Sequence, residues 1–419
     1  MFELYTHPCF NEESKHKYSR VHLPVAPNCN IQCNYCNRKY DCVNESRPGV
    51  TSAVLKPYQA IEYLKIISGK LNNISVVGIA GPGDPFANPE ETLETMRLVR
   101  REFPDVLLCV STNGLNIAPY IDELKKLNLS HVTLTINGFD PEILARIYSW
   151  VRFGKRVYRG IEAGEVMIRQ QTEALKLLKE AGLTVKVNTI VIPSVNEHTI
   201  TNTAAKLAEF GTDMMNCIPL LPAKDTPFEN LKEPVPGLIK QLRKETAEYI
   251  KPMNHCSRCR ADAAGLLGEN NEETKCILQK LSMLRPKNAE NRNKVAVATY
   301  ENMLVNQHLG EASDLAIFGY ENGEYVFLET RNTPPSGSGD KRWTDLGEIL
   351  SDCRALLVSG IGPKPSKILE RSGIEIIQMT GLIQAGLEAV FEGKPLKTVT
   401  RAEMFACGSS CSGKANGCM

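Results

Sequence analysis

The chain has no apolar run that approaches the roughly 20 residues needed to cross a bilayer, although 42% of its 419 residues are hydrophobic. Its opening, Met1-Phe2-Glu3-Leu4-Tyr5, lacks the basic start of a secretory signal, so a cytoplasmic protein is expected. An excess of one charge is missing as well. The 49 Lys and Arg balance the 48 Asp and Glu to a net +1, which leaves no basic stripe to neutralise phosphates and argues against nucleic acid as a partner. Neither a membrane nor DNA is favoured. Cysteine, by contrast, is plentiful, with 14 residues. In a reducing compartment disulfides are rare, so metal or redox chemistry is the first reading for cysteines that cluster.

The densest cluster is itself short of a ligand. Cys29, Cys33 and Cys36 stand in Asn28-Cys29-Asn30-Ile31-Gln32-Cys33-Asn34-Tyr35-Cys36, a C-x-x-x-C-x-x-C spacing. An iron-sulfur cube normally takes four thiolates, and this loop offers three, leaving one iron open to a small ligand. The other readings are a zinc site or three unrelated thiols. Zinc sites usually pair two C-x-x-C units, and no second pair lies near this loop. The spacing is similar to that of the radical S-adenosylmethionine (SAM) enzymes. In that family the open iron is chelated by the amine and carboxylate of SAM, and an electron from the cluster splits the sulfonium to give a 5'-deoxyadenosyl radical.

The length allows two or three domains at roughly 100 to 200 residues each. Apolar β-type runs at Val21-Ala26, Ile74-Ala80, Val106-Val110, His131-Ile136, Thr184-Ile192 and Met214-Leu220 alternate with helical periodicity, as in Tyr58-Leu71, Pro89-Glu102, Ile117-Leu127 and Met167-Ala181. Six βα units imply an α/β fold with a parallel sheet, and the resemblance of the cysteine spacing implies a radical SAM partial (β/α)6 TIM-like barrel. Chemistry in such barrels collects at the carboxyl ends of strands, and the cysteine loop follows the first one. Gly81 and Gly83, in Gly81-Pro82-Gly83-Asp84-Pro85, follow a strand where absent side chains let backbone approach a ligand. With Asp84 they are expected at the methionyl end of SAM, or else serve the turn alone. Thr112, Asn113, Asn137 and Asn188 offer short hydrogen-bonding side chains near other strand ends, for the nucleoside or the substrate.

The stretch Val25 to Ser52, with Cys29 to Cys42 and Asn44-Glu45-Ser46-Arg47-Pro48-Gly49, resembles the nitrogenase cofactor-biosynthesis radical SAM proteins, the NifB family. The resemblance continues through His7-Pro8-Cys9, the Gly81–Pro85 turn, and Cys256-Ser257-Arg258-Cys259-Arg260-Ala261-Asp262-Ala263-Ala264-Gly265. It implies one SAM-binding [4Fe-4S] cluster and two substrate [4Fe-4S] clusters. These are fused, with a SAM-derived carbon and an added sulfur, into an 8Fe-9S-carbide core, the precursor of the nitrogenase cofactor. One SAM donates its methyl to a cluster sulfide and a second supplies the radical that takes hydrogen from that methyl. By the same resemblance His22, Cys42 and Cys109 hold one substrate cluster and Cys9, Cys256 and Cys259 the other. Glu45 and Arg47 are candidates for a proton relay and for anchoring SAM or a sulfur source. Partners implied are an iron-sulfur cluster donor, cofactor-carrier or maturation proteins of nitrogenase assembly, and an electron donor such as ferredoxin or flavodoxin.

On residue grounds alone these ligands have plainer readings. Cys109 in Leu107-Leu108-Cys109-Val110 reads as a small buried hydrophobe, and His22 as a strand-end histidine. Cys256 and Cys259 form a C-x-x-C that suits redox or zinc chemistry, Cys9 has no cysteine neighbour, and Cys217, Cys276 and Cys353 look structural.

The expected domains are a barrel over 1–283, a polar linker over 284–293, a carrier domain over 294–400 and a Cys-rich tail over 401–419. Strands at Val295-Tyr300, Leu315-Tyr320, Tyr325-Thr330, Ala355-Ser359 and Ile374-Gln378, with a Pro365-Arg371 helix, resemble the small ribonuclease-H-like cofactor-carrier domain of nitrogenase biosynthesis. Within it His308, in Asn306-Gln307-His308-Leu309-Gly310, matches a family histidine motif that touches the finished cluster, or is a solvated loop histidine. Cys407, Cys411 and Cys418 sit in a glycine- and serine-rich tail suited to ferrying iron, or dispensable. Two other functions compete: a radical SAM enzyme acting on a peptide or small organic molecule with an auxiliary cluster, and a noncatalytic cluster scaffold.

Overall fold

The computed structural model describes residues 3–42, 50–256, 259–269, 271–284, 292–321, 323–335, 337, 339–394 and 396. The chain divides into two units, Met1–Leu284 and Arg285–Met419, each with its own sheet and core.

In the first unit six parallel strands lie in chain order across one curled sheet: β1 Ser19–His22, β2 Ile74–Ile79, β3 Leu107–Thr112, β4 Leu129–Thr135, β5 Thr184–Val191 and β6 Met214–Pro219. A short strand, β7 Ala264–Gly265, pairs antiparallel with β1, setting Arg20 opposite Gly265. Helices α1 Pro57–Ser68, α2 Pro89–Glu102, α3 Ile121–Lys126, α4 Pro141–Ile147, α5 Gly160–Glu180 and α6 Ile200–Glu209 intervene, followed by α7 Pro236–Thr246 and α8 Glu272–Ser282. Proline opens α1, α2, α4 and α7, where its missing N–H costs nothing and its fixed φ suits the first turn. This is the partial barrel expected of the sequence.

Alternation along each strand separates core from cavity. Val77, Ile79, Leu108, Val110, Val132, Leu134, Val185 and Val187 pack with Leu64, Ile67, Met96, Val99, Leu124 and Leu175 in one buried cluster. Each such side chain contributes about 1.5–3 kcal/mol by leaving water. The intervening residues, Gly78, Ala80, Cys109, Ser111, Thr133, Lys186 and Asn188, line a cavity instead. Cys109 is therefore on the cavity face, not among the apolar neighbours its sequence context suggests.

Two local differences from the sequence reading have simple causes. The first strand is Ser19–His22 rather than Val21-Ala26, because Pro24 has no N–H to pair and Val25 N–H turns back to Leu23 O at 3.0 Å. A small sheet not anticipated joins Ile31–Cys33 to Tyr148–Phe153 and Arg156–Tyr158.

The second unit has a five-stranded sheet in the order β10-β9-β8-β11-β12, with β8 Lys294–Val297, β9 Asp314–Glu321, β10 Glu324–Asn332, β11 Cys353–Val358 and β12 Glu375–Gln378. The pairs β8/β9 and β9/β10 are antiparallel, while β8/β11 and β11/β12 are parallel. That mixed order is the ribonuclease-H-like arrangement. Helices α9 Asp340–Ile349 and α10 Pro363–Arg371 cover one face through Leu346, Leu350 and Leu369, and α11 Ile383–Glu392 covers the other through Ile383, Leu387 and Val390. At one end of the strands Asp352 accepts from Arg331 at 2.5 and 2.8 Å and meets Lys294 Nζ at 3.0 Å.

Candidate functional site

Cys29, Cys33 and Cys36 line one cavity at the carboxyl ends of the strands. The loop is set by backbone. Residues Ile31–Cys33 pair with Tyr148–Phe153, Cys36 N–H donates to Cys33 O at 3.0 Å, and the Gln32 amide donates to the Cys36 and Cys33 carbonyls at 2.7 and 3.2 Å. Ile31, Tyr35, Leu115 and Tyr148 pack around it in a buried apolar cluster. Burial pushes the Cys36 thiol up to about 11 and raises those of Cys29 and Cys33, while the Arg38 cation pulls against it. Three thiols on one dry wall beside a guanidinium fit an anionic iron-sulfur cube whose binding displaces the thiol protons. Asn113 Nδ2 stands 3.9 Å from Cys29 Sγ.

Several residues expected at SAM hold this wall together. Asp84 is 3% exposed and accepts from Thr112 Oγ1 at 2.9 and 3.1 Å, Asn113 N–H at 2.7 Å and Phe86 N–H at 2.9 Å. Gly83 is needed for close approach, since a Cβ there would stand 2.0 Å from Asn28 O. The cysteine loop and the turn after β2 are joined by Gly83 N–H to Ala26 O at 2.6 Å, Asp84 N–H to Asn28 O at 2.7 Å and Cys42 N–H to Pro82 O at 3.2 Å. Gly83, Asp84, Thr112 and Asn113 all line the first cavity with Cys42. Gly81 accepts from Ala26 N–H at 3.3 Å. Asn137 donates to the Tyr35 and Tyr148 hydroxyls at 3.0 and 3.2 Å and accepts from Ile190 N–H at 2.9 Å. Asn188 accepts from Asn216 Nδ2 at 3.1 Å and lines a different cavity.

That second cavity collects Cys9, His22, Cys109, Cys256 and Cys259, which are far apart in the chain. Ala80 and Ser111 line both cavities, so the two adjoin. Register explains the first pair: His22 lies opposite Gly78, Gly78 opposite Cys109, and Cys109 opposite His131. Cys256 and Cys259 arrive because β7 folds back on β1. The buried Arg20 guanidinium donates to Gly265 O, to Leu266 O at 2.8 Å and to Cys259 Sγ from two nitrogens at 3.3 Å. Cys9 arrives with the N-terminal segment, anchored by Ser75 Oγ to Thr6 O at 3.0 Å and by His255 Nε2 against Pro8 O at 3.1 Å. Burial pushes the Cys9 thiol up to about 12 against the pull of Lys186. Burial and then the Arg20 charge push His22 down to about 4, which leaves a neutral imidazole fit to bind metal. Among the described residues no three His, Cys, Asp or Glu side chains converge on a single ion.

Sequence reasoning did not single out His7, Phe10, Gly78, His131, Lys186, Arg20 or Arg38. His7 and Arg38 did stand in runs that carry the resemblance, His7-Pro8-Cys9 and Cys29 to Cys42, while the other five had no motif to mark them. For Gly78 and Lys186 the signal was period-2: Gly78/Ala80, Cys109/Ser111 and Lys186/Asn188 are small or polar residues two apart within strands whose alternate positions are apolar. Glu45, Arg47 and the tail cysteines Cys407, Cys411 and Cys418 lie outside the described residues, as does most of the expected linker. In the second unit His308 pairs by backbone with Gly360, and a Cβ on Gly360 would stand 2.7 Å from the His308 ring. His308 Nδ1 accepts from Gly310 N–H at 3.1 Å.

The radical SAM superfamily model matches residues 23–207, and the model described as dinitrogenase iron-molybdenum cofactor matches residues 291–393. The chain is 49% identical to the FeMo cofactor biosynthesis protein NifB of Chlorobaculum tepidum over 98% of each chain. To the protein of the same name from Frankia alni it is 35% identical over 93% of this chain and 88% of that one. Among solved structures, methylornithine synthase (PylB) aligns at 16% identity and a TM-score of 0.39, covering 64% of this chain and 82% of that one.

Proposed function

Because the chain belongs to the family of FeMo cofactor biosynthesis proteins NifB, we infer that its two adjoining cavities join a SAM-cleaving centre to a chamber for substrate clusters. The protein is a radical SAM enzyme that uses SAM and [4Fe-4S] clusters. On our reading it fuses two [4Fe-4S] clusters, with a SAM-derived carbon and an added sulfur, into the 8Fe-9S-carbide precursor of the FeMo cofactor. Cys29, Cys33 and Cys36 would hold the resident cluster, which with bound SAM supplies one-electron cleavage of the sulfonium.

The chain's own residues prepare that chemistry. Arg38 offsets thiolate charge at Cys29 and Cys36. The Asp84 strut keeps Thr112 and Asn113 at the cavity wall. Cys9, Cys256 and Cys259 are read as one substrate-cluster ligand set, with Arg20 seated on the Cys259 sulfur. His22, Cys109 and Cys42 are read as the other. His22 and Cys109 line the second cavity and Cys42 the first, so a cube between them would sit at the wall shared through Ala80 and Ser111.

The observation that carries this reading is the second cavity itself: four cysteines and two histidines, residue types able to ligate iron, line one chamber that adjoins the cavity of Cys29, Cys33 and Cys36. An enzyme acting on a peptide or organic substrate with one auxiliary cluster would need no more than four ligands there. We assign partners as the sequence reading did, with the second unit passing product to carrier or maturation proteins, a cluster donor upstream and ferredoxin or flavodoxin as electron source, in the cytoplasm. No described helix is long and apolar enough to cross a membrane. Iron counting and EPR of the anaerobically reconstituted protein, with and without SAM, test the reading. Three cubes, one of them perturbed by SAM, are expected; one or two would favour the peptide or small-molecule alternative, and iron binding without SAM cleavage would favour a scaffold.

A further inference from the structure

Two histidines line the second cavity, and backbone groups hold them in opposite tautomers. His22 Nδ1 lies 3.0 Å from Arg260 O. A carbonyl can only accept, so Nδ1 carries the proton and the Nε2 lone pair is available to iron, the arrangement usual for a metal-bound histidine. His7 is the reverse. Its Nδ1 accepts the Cys9 N–H at 3.1 Å. An amide N–H can only donate, so Nδ1 carries the lone pair and the proton of the neutral ring is on Nε2.

That Nε2–H has no hydrogen-bond partner among the described residues, although His7 is only 2% exposed. An unsatisfied buried donor costs about 1–3 kcal/mol, and native structures seldom retain one without a use. The ring is held firmly: its centroid lies 4.5 Å from that of His131 and 4.8 Å from that of Phe10, the latter edge-on at 67°. The same residue whose N–H fixes this tautomer, Cys9, carries one of the cavity thiols.

We propose that His7 donates a hydrogen bond from Nε2–H to a sulfur of the substrate cluster held by Cys9, Cys256 and Cys259, as a positioning residue and not as an iron ligand. The proposal rests on the ligand reading given above. Hydrogen bonds to cluster sulfurs are one of the ways a protein sets cluster potential. Here the bond would also couple the seating of the cube to the conformation of the His7–Cys9 turn. His7 thus completes the polar surroundings of a cluster whose other neighbours include the cationic Arg20 and Lys186.

The test uses the full chain, anaerobically reconstituted, in three forms: unaltered, His7→Phe, which keeps a ring but no N–H, and His7→Gln, which restores a side-chain N–H. Iron per chain is expected to be equal in all three. The reduction potential of a substrate cluster, followed by EPR, is expected to move negative in His7→Phe and to return towards the unaltered value in His7→Gln. Pulsed EPR of the unaltered protein labelled with 15N-histidine is expected to show one strong nitrogen coupling, lost in His22→Ala, and one weak coupling. This measurement stands even if a variant fails to fold. A second strong coupling, or loss of a strong one in His7→Phe, would make His7 a ligand and overturn the proposal. An unmoved potential in a fully loaded His7→Phe protein, or no weak coupling, would overturn it while leaving the ligand reading intact. Absence of a cube from the second cavity of the unaltered protein would overturn both.

Discussion

Cys109 occupies the space that a side chain at position 78 would need, next to His22: a Cβ on Gly78 would stand 2.6 Å from Cys109 Sγ and 3.4 Å from His22 Cδ2. Gly78 lies between the two in strand register, so its missing side chain lets them face the cavity as neighbours. Gly78→Ala is expected to displace the Cys109 sulfur and to lower iron content by about four atoms per chain, one cube, while SAM cleavage persists. Iron analysis beside a SAM-cleavage assay checks this. Full iron loading in the variant would show that His22 and Cys109 do not act as a pair.

Cys42 stands with the three loop cysteines along the first cavity. Cys42→Ala is expected to leave SAM cleavage largely intact and to abolish the fused product. EPR of the reduced variant with SAM is the direct measurement. If the SAM-perturbed signal vanished, Cys42 would belong to the resident cluster and the ligand partition drawn here would be wrong.

Asp84 offers the donors of Thr112, Asn113 and Phe86 nothing but acceptors. Asp84→Asn replaces one carboxylate oxygen with an NH2 that must face an N–H or hydroxyl donor. The expected loss of stability is about 2–3 kcal/mol, the range for a charge-assisted bond broken in a buried site. Denaturant unfolding of the full chain measures it.

Hydrogen bonding from Arg331, and then from Lys294 together with both charges, outweighs partial burial and holds the Asp352 carboxyl well below its ordinary value. A carboxyl depressed in the native state lends stability above its unfolded value, about 3.9, and loses it as pH falls towards the native value. The Asp352 side chain is 44% exposed, so solvent screening keeps the contribution to about 1 kcal/mol or less. Asp352→Asn is therefore expected to be less stable than the unaltered chain at pH 7, and the gap to close below about pH 4. In a Trp150→Phe background, Trp343 fluorescence reports the second unit's unfolding at each pH.

Much of the fold was legible because its causes are local. Apolar strand runs alternating with helical periodicity announced the barrel, and five short strands announced the second sheet. The first strand was misplaced because Pro24 breaks pairing inside an apolar run. The sheet built from Tyr148–Phe153 was missed because its partner, Ile31–Cys33, is only three residues long and more than a hundred residues away.

The sequence by itself determined the chemistry available. Three cysteines within eight residues, 29 to 36, share one loop, and three thiolates are one fewer than an iron-sulfur cube normally takes. Only the tertiary structure decided which side chains share a chamber. Strand register placed His22 and Cys109 on either side of Gly78, the return of β7 onto β1 delivered Cys259 to Arg20, and the N-terminal segment delivered Cys9 and His7. The reason is physical: within one strand only alternate residues share a face, so a cavity lined by distant cysteines and histidines is written in strand pairing and not in spacing.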